Sequence, residues 1–144
     1  MEKDDIVITS AFRTAIGKFN GSLSSQTAPE LGSTVIKKCI EKSELKKEEI
    51  DMVYMGQVLT TGSGQNPARQ ASILAGLTNE TTNTTINQVC GSGLASVALA
   101  YNSIKSGDGK VILAGGQESM SNSPHYINIR KGIKMGDGNM KDSM

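Results

Sequence analysis

From Met52 to Gly109, a run of 58 residues carries only four charges, on Arg69, Glu80, Lys105 and Asp108. Solvated faces are rich in Lys, Glu, Asp and Arg, so a stretch this poor in charge is expected to be mostly core or interface. Just upstream the pattern reverses: ten of the fifteen residues from Lys37 to Asp51 are charged, which reads as a solvated helix end, a turn and the next helix start. The chain has 144 residues, about one domain's worth, yet only 37% are hydrophobic and 3% aromatic. Such a thin core leads us to expect another layer or chain to complete it. No apolar run approaches membrane-spanning length, and a net charge of +1 is far from the basic balance of a dedicated nucleic-acid binder. The polar start Met1-Glu2-Lys3-Asp4-Asp5 resembles neither a secretory signal nor an arginine-rich transit peptide. Together with two cysteines, a number that fits a reducing compartment, this predicts a cytoplasmic protein with no membrane partner.

Hydrophobic periodicity predicts alternating strands and helices. Ile6–Ser10 is a β-branched run and the first strand candidate, followed by a Gly-containing loop over Ala11–Ser25. Ala28–Lys42 has helical spacing, with Leu31, Val35 and Cys39 on one line and Ile36 and Ile40 beside it; Thr27 is its candidate cap and Pro29 suits its first turn. Met52–Leu59 reads as a strand. Asn66-Pro67 then opens a helix that Gly76 closes. Thr81–Val89 reads as a further strand, Ser92–Lys105 as a helix ended by Gly107, and Lys110–Ala114 as a last strand. The helix after Cys90 is built from small residues (Ala95, Ser96, Ala98, Ala100, Ser103), which permit close backbone approach and predict a central position. Strands joined by crossovers of this length argue for an α/β sheet. Ser119–Met144 has four Met, three Gly and no clear period, as expected of a segment that needs something to pack against.

The sharpest chemical feature is Asn87-Gln88-Val89-Cys90-Gly91-Ser92-Gly93-Leu94. It sets a cysteine where a strand turns into a helix, with two glycines permitting a tight, strained turn. A helix N-terminus and nearby N–H groups favour an ionised sulfur there, and the same donors can receive charge from an attacked carbonyl oxygen. This is nucleophile-elbow geometry with sulfur in place of oxygen. The competing reading makes Cys90 an ordinary small buried residue, the commonest fate of a free cysteine. Cys39, on the apolar line of a helix, reads as structural. His125 is the chain's one histidine, and a dyad with Cys90 can be drawn, although a lone His after Pro124 reads more naturally as a surface or pocket-lining group. One His and two distant Cys match no metal-site spacing, and Gly115-Gly116-Gln117-Glu118 lacks the pattern of a phosphate-binding loop.

Six segments in order carry a family resemblance: Ala11-Phe12-Arg13-Thr14-Ala15-Ile16-Gly17, Gly56-Gln57-Val58-Leu59, Gly64-Gln65-Asn66-Pro67-Ala68-Arg69-Gln70, the Cys90 segment, Gly115-Gly116-Gln117-Glu118-Ser119-Met120-Ser121, and Lys134-Met135-Gly136-Asp137. The chain resembles the N-terminal part of a thiolase, most like the acetyl-CoA acetyltransferase branch. The resemblance implies an incomplete α/β thiolase-like fold. Residues 1–118 would form the N-terminal half-domain of a layered αβαβα sandwich, and residues 119–144 the truncated start of an inserted loop domain. It also implies that Cys90 accepts an acyl group from acyl-CoA and that its backbone N–H serves an oxyanion hole. The reaction is the Claisen condensation of two acetyl-CoA to acetoacetyl-CoA, or its reverse by free CoA. Coenzyme A thioesters are then substrates, and no cofactor is implied. Homodimers or tetramers are the family habit, and fatty acid metabolism its setting.

Departures from the family pattern are informative. The activating histidine, the second cysteine and their neighbours belong to the family's C-terminal half, so the isolated chain is expected to be inactive. Completion by the rest of a longer enzyme, or by a C-terminal partner chain, fits equally well. His125 corresponds to a loop-domain position near the acyl pocket and not to the activating histidine. Gln117 stands where Met is more usual, and Ala95 where a basic residue is frequent. Alternatives within reach are a degradative 3-ketoacyl-CoA thiolase and a noncatalytic thiolase-like acyl-CoA-binding or scaffold module.

Overall fold

A computed structural model describes residues 5–144. Helix α1 (Ala28–Ser43) begins at a capping box: Thr27 Oγ1 accepts the Glu30 N–H, and the Glu30 carboxylate accepts the Thr27 N–H at 2.7 Å. The Thr27 N–H, and then its hydroxyl, hold the Glu30 carboxyl below the usual range. A 3₁₀ turn over Lys47–Glu49 leads into strand β1 (Met52–Gly56), and helix α2 (Pro67–Leu74) follows. Asn66 caps α2 and is tied to strand β2 (Thr82–Ile86) through Asn66 Nδ2 to the Asn83 carbonyl at 3.0 Å and the Thr85 hydroxyl to Asn66 Oδ1 at 2.9 Å. Helix α3 (Ser92–Ser106) ends at Gly107, whose φ of 85° supplies the left-handed C-cap, and strand β3 (Ile112–Gly116) completes the sheet.

The three strands are parallel in the order β2-β1-β3, with Met52 opposite both Thr82 and Ile112 and Gly56 opposite both Ile86 and Gly116. Their carboxyl ends are therefore level. At the other end Asp51 joins β1 to β3, its Oδ2 accepting the N–H groups of Val111 at 3.0 Å and Lys110 at 2.7 Å. These two bonds, Val111's the larger influence, lower the carboxyl's proton affinity.

Strand alternation divides the core. Val53 and Met55 are buried with Ile36, Ile40, Ala68, Ala71 and Leu77 on the side that α1 and α2 cover. On the opposite face Tyr54 reaches α3, its hydroxyl 2.9 Å from the Ser103 hydroxyl, and Ser96 Oγ donates to the Gly115 carbonyl at 2.8 Å. The small residues Ser92, Ser96 and Ala100 are the buried ones of α3, which lets the helix lie close on the sheet. Its outer side is apolar and bare among the described residues: Leu94, Val97, Leu99 and Tyr101 are all exposed. Of the charge-poor stretch, β1 and the inner side of α2 are core, whereas Ile73 and Leu74 of α2, much of α3 and the outer residues of β2 are uncharged and exposed.

One expectation fails. Ile6–Ser10 is not a strand: Val7 and Ile8 are exposed, and at its end the Ser10 hydroxyl donates to the Cys39 carbonyl of α1 at 3.2 Å. A β-branched run becomes a strand only when a neighbour pairs its backbone, and among the described residues none does. The Leu31–Val35–Cys39 line of α1 is only half-buried; the buried positions are Ala28, Pro29, Gly32, Ser33, Ile36 and Ile40. Beyond β3 the chain forms a 3₁₀ turn at Met120–Asn122 and a two-residue antiparallel pair, β4 (His125–Tyr126) with β5 (Lys141–Asp142).

Candidate active site

The connections β1–α2–β2 and β2–α3–β3 cover opposite faces of the sheet, so ligands are expected beyond the carboxyl ends of its strands. Cys90 lies there, between the end of β2 and the start of α3. It is exposed in this chain, not packed into the core of this part of the molecule. Glycine brings the helix down to the strands: a Cβ at Gly56 would stand 2.6 Å from the Ser92 carbonyl carbon and 2.7 Å from the Gly93 nitrogen. Gly93 and Gly116 face each other just beside this contact.

The turn carrying the sulfur is strained. Val89 has φ of 51°, a left-handed conformation that is a true outlier for a β-branched residue and costs about 1–3 kcal/mol. Short bonds hold it: Asn87 Oδ1 accepts the Val89 N–H at 3.0 Å, and Ser92 Oγ accepts the Gln88 N–H at 2.8 Å while donating to the Val89 carbonyl at 2.5 Å. The N–H groups of Gly91 and Ser92 are both used inside the turn, bonded to the carbonyls of Gln88 at 3.1 Å and Val89 at 3.0 Å.

Neighbouring loops buttress the turn. The Glu118 carboxylate, following β3, accepts the N–H groups of Val58 at 2.9 Å and Leu59 at 3.1 Å, and Asn87 Nδ2 donates to the Val58 carbonyl at 3.3 Å. Beneath lies a buried amide pair, with Gln117 Nε2 donating to Gln57 Oε1 at 2.9 Å and to the Pro67 carbonyl at 3.2 Å. Gln117 Oε1 has no hydrogen-bond partner and lies where a Gly32 Cβ would be, so only glycine leaves room for it there. None of these roles is assigned by the sequence motifs. The available signal was Glu118 itself, the one charge among the 19 residues from Val111 to Ile129.

The other sequence candidates are elsewhere. His125 is in the β4–β5 pair with its Nε2 3.9 Å from Asp142 Oδ2, and no hydrogen bond joins it to Cys90 among the described residues. Cys39 is half-buried on α1. Arg69 and Gln70, both within a family-like segment, do local structural work: the Arg69 guanidinium donates to the Thr81 carbonyl at 3.1 Å, and the Gln70 amide to the Ser63 carbonyl at 2.6 Å. A polar cavity of about 210 Å³ opens between the start of α1 and the 57–63 loop, and Cys90 does not line it. Among the described residues no His, Cys, Asp or Glu cluster has the makings of a metal site, and no helix is long and apolar enough to cross a membrane.

The family model of the thiolase N-terminal domain matches residues 6–144. The chain belongs to the thiolase family. Similar curated proteins include the acetyl-CoA acetyltransferases of Cupriavidus necator, 55% identical over 141 residues, and of Rhizobium meliloti, 52% identical over 144 residues. The acetyl-CoA acetyltransferase of Escherichia coli is 51% identical over 138 residues. These alignments cover 97%, 100% and 94% of this chain but 36%, 37% and 35% of the relatives. The chain thus spans little more than a third of a curated thiolase relative, and the three-stranded sheet with its elbow is the α/β part that this thiolase domain contributes.

Proposed function

We propose that this thiolase domain supplies the acyl-accepting nucleophile of an acetyl-CoA acetyltransferase, and that the nucleophile is Cys90. The observation that carries this reading is an exposed cysteine on a strained turn at the carboxyl ends of the strands and the head of α3. Its thiolate attacks the thioester carbonyl of acetyl-CoA. A carbon–sulfur bond forms to Cys90, and CoA leaves as its thiol after taking up a proton. A second acetyl-CoA loses a proton from its α-carbon and attacks the acetyl-cysteine. The Cys90 thiolate then departs, giving acetoacetyl-CoA, and free CoA reverses the sequence. With the Gly91 and Ser92 N–H groups used inside the turn, the Cys90 N–H is the donor we assign to the developing oxyanion.

The base that ionises Cys90 and the group that handles the α-proton come from the remaining length of the enzyme. The isolated chain is therefore inactive, and cytoplasmic oligomers holding CoA thioesters are the working form. The completed enzyme, incubated with acetyl-CoA and analysed by peptide mass spectrometry, gains an acetyl group on Cys90. An unmodified Cys90 in turning-over protein would refute the assignment. Preference for four-carbon over longer 3-ketoacyl-CoA separates this reading from a degradative thiolase. CoA-ester binding without any adduct would instead identify a noncatalytic module.

A further inference from the structure

Five groups near the elbow form a chain of hydrogen bonds running in one direction. Glu118 Oε1 accepts the Leu59 N–H at 3.1 Å, and the carbonyl of that same peptide group, on Val58, accepts Asn87 Nδ2 at 3.3 Å. The other end of the Asn87 amide, Oδ1, accepts the Val89 N–H at 3.0 Å. The carbonyl of the peptide carrying that N–H, on Gln88, accepts the Gly91 N–H at 3.1 Å. Every donor in this series points towards Glu118. Peptide and amide groups aligned this way polarise one another, and a carboxylate at the acceptor end reinforces each link. The series starts at Glu118, whose second oxygen grips the Val58 N–H at 2.9 Å, and ends at the residue that follows Cys90.

We propose that Glu118 is a positioning residue of the acyl-transfer site, its carboxylate anchoring through peptide 58–59, the Asn87 amide and peptide 88–89 the strained turn that presents Cys90. The inference rests on the assignment of Cys90 as the nucleophile. Glu118 takes no part in bond making. It holds Val89 in a conformation a β-branched residue otherwise avoids, and thereby the sulfur in its place. Small displacements of a reacting group cost up to about a hundredfold in rate without weakening binding.

The test is single-turnover acetylation of Cys90 by acetyl-CoA in the completed enzyme, comparing Glu118→Ala, Glu118→Gln, Asn87→Ala and the Glu118→Ala/Asn87→Ala pair. Glu118→Ala and Asn87→Ala should each slow acetylation at saturating acetyl-CoA by about 10- to 100-fold with unchanged half-saturation. The pair should be no slower than the worse single variant, because both cut one series. Glu118→Gln, which keeps one acceptor oxygen, should recover part of the loss. Losses that multiply, or acetylation at the unsubstituted rate, overturn the positioning role and leave the Cys90 assignment standing. No adduct on the unsubstituted enzyme overturns both. If the Glu118 variants fail to fold, Asn87→Ala at its exposed site still decides, since normal acetylation there breaks the series.

Discussion

The two faces of the sheet are built to different ends. Under α1 and α2 the packing is closed: Val53, Ala68 and Ala71 have no exposure, and Gly32 lets α1 settle against Gln117 and Ala71. Under α3 the contact is close but shallow, made by Ser92, Ser96, Ala100 and a few hydrogen bonds, with Leu94 78% exposed on the far side. The closed face holds the buried apolar core of this part of the molecule, and the open face begins at the turn that carries the exposed Cys90. On the proposed function, stability and reactivity would fall to different helices on one sheet.

That division can be broken most sharply at Cys90. Cys90→Ala should reduce acyl transfer by the completed enzyme by roughly a thousandfold or more, and should leave the melting temperature of this chain unchanged, because the side chain is exposed in it. A large fall in melting temperature would mean that the open face also carries structure. Next comes the point where the faces touch. Gly56→Ala should cost about 3 kcal/mol in urea unfolding, since its methyl meets main-chain atoms of Ser92 and Gly93. Gly116→Ala, whose methyl would stand 3.4 Å from the Gly93 Cα, should cost under about 1 kcal/mol.

Matched truncations on the two faces sharpen the comparison. Val53→Ala should destabilise this chain by about 2 kcal/mol, and Leu94→Ala by less than about 0.5 kcal/mol. Equal losses would abolish the distinction. Val89→Gly should raise stability slightly, by about 0.5–1 kcal/mol, as relief of the left-handed strain outweighs the entropy of a glycine. The smallest effect is at Asp51. Its folded proton affinity is lowered, so its contribution is present above the ordinary carboxylate range, near pH 4, and is lost as pH falls through the still lower folded value. Acid titration of unfolding should therefore show a shallower loss below about pH 4 in Asp51→Asn than in the unsubstituted chain.

Local signals made much of this legible. Thr27, Asn66, Gly76 and Gly107 mark helix ends because capping depends on residues a few positions apart, and all four do so here. Cys90 stood out because a strand, two glycines and a helix converge on it in eight residues. The buttress was hidden for the opposite reason: Gln57 with Gln117 and Val58 with Glu118 are each 60 residues apart in sequence, and parallel pairing of β1 with β3 is what joins them. Ile6–Ser10 misled because β-branched composition reports a willingness to pair and says nothing about whether a partner strand is present.

The contact at Gly56 also governs how this scaffold can be changed. At position 90 the environment is open in this chain, so other side chains fit there without disturbing its packing. At position 56 the gap between strand and helix is narrower than a methyl group, and every replacement adds at least that much. Within this chain, substitution is thus free at position 90 and closed at the floor beneath it.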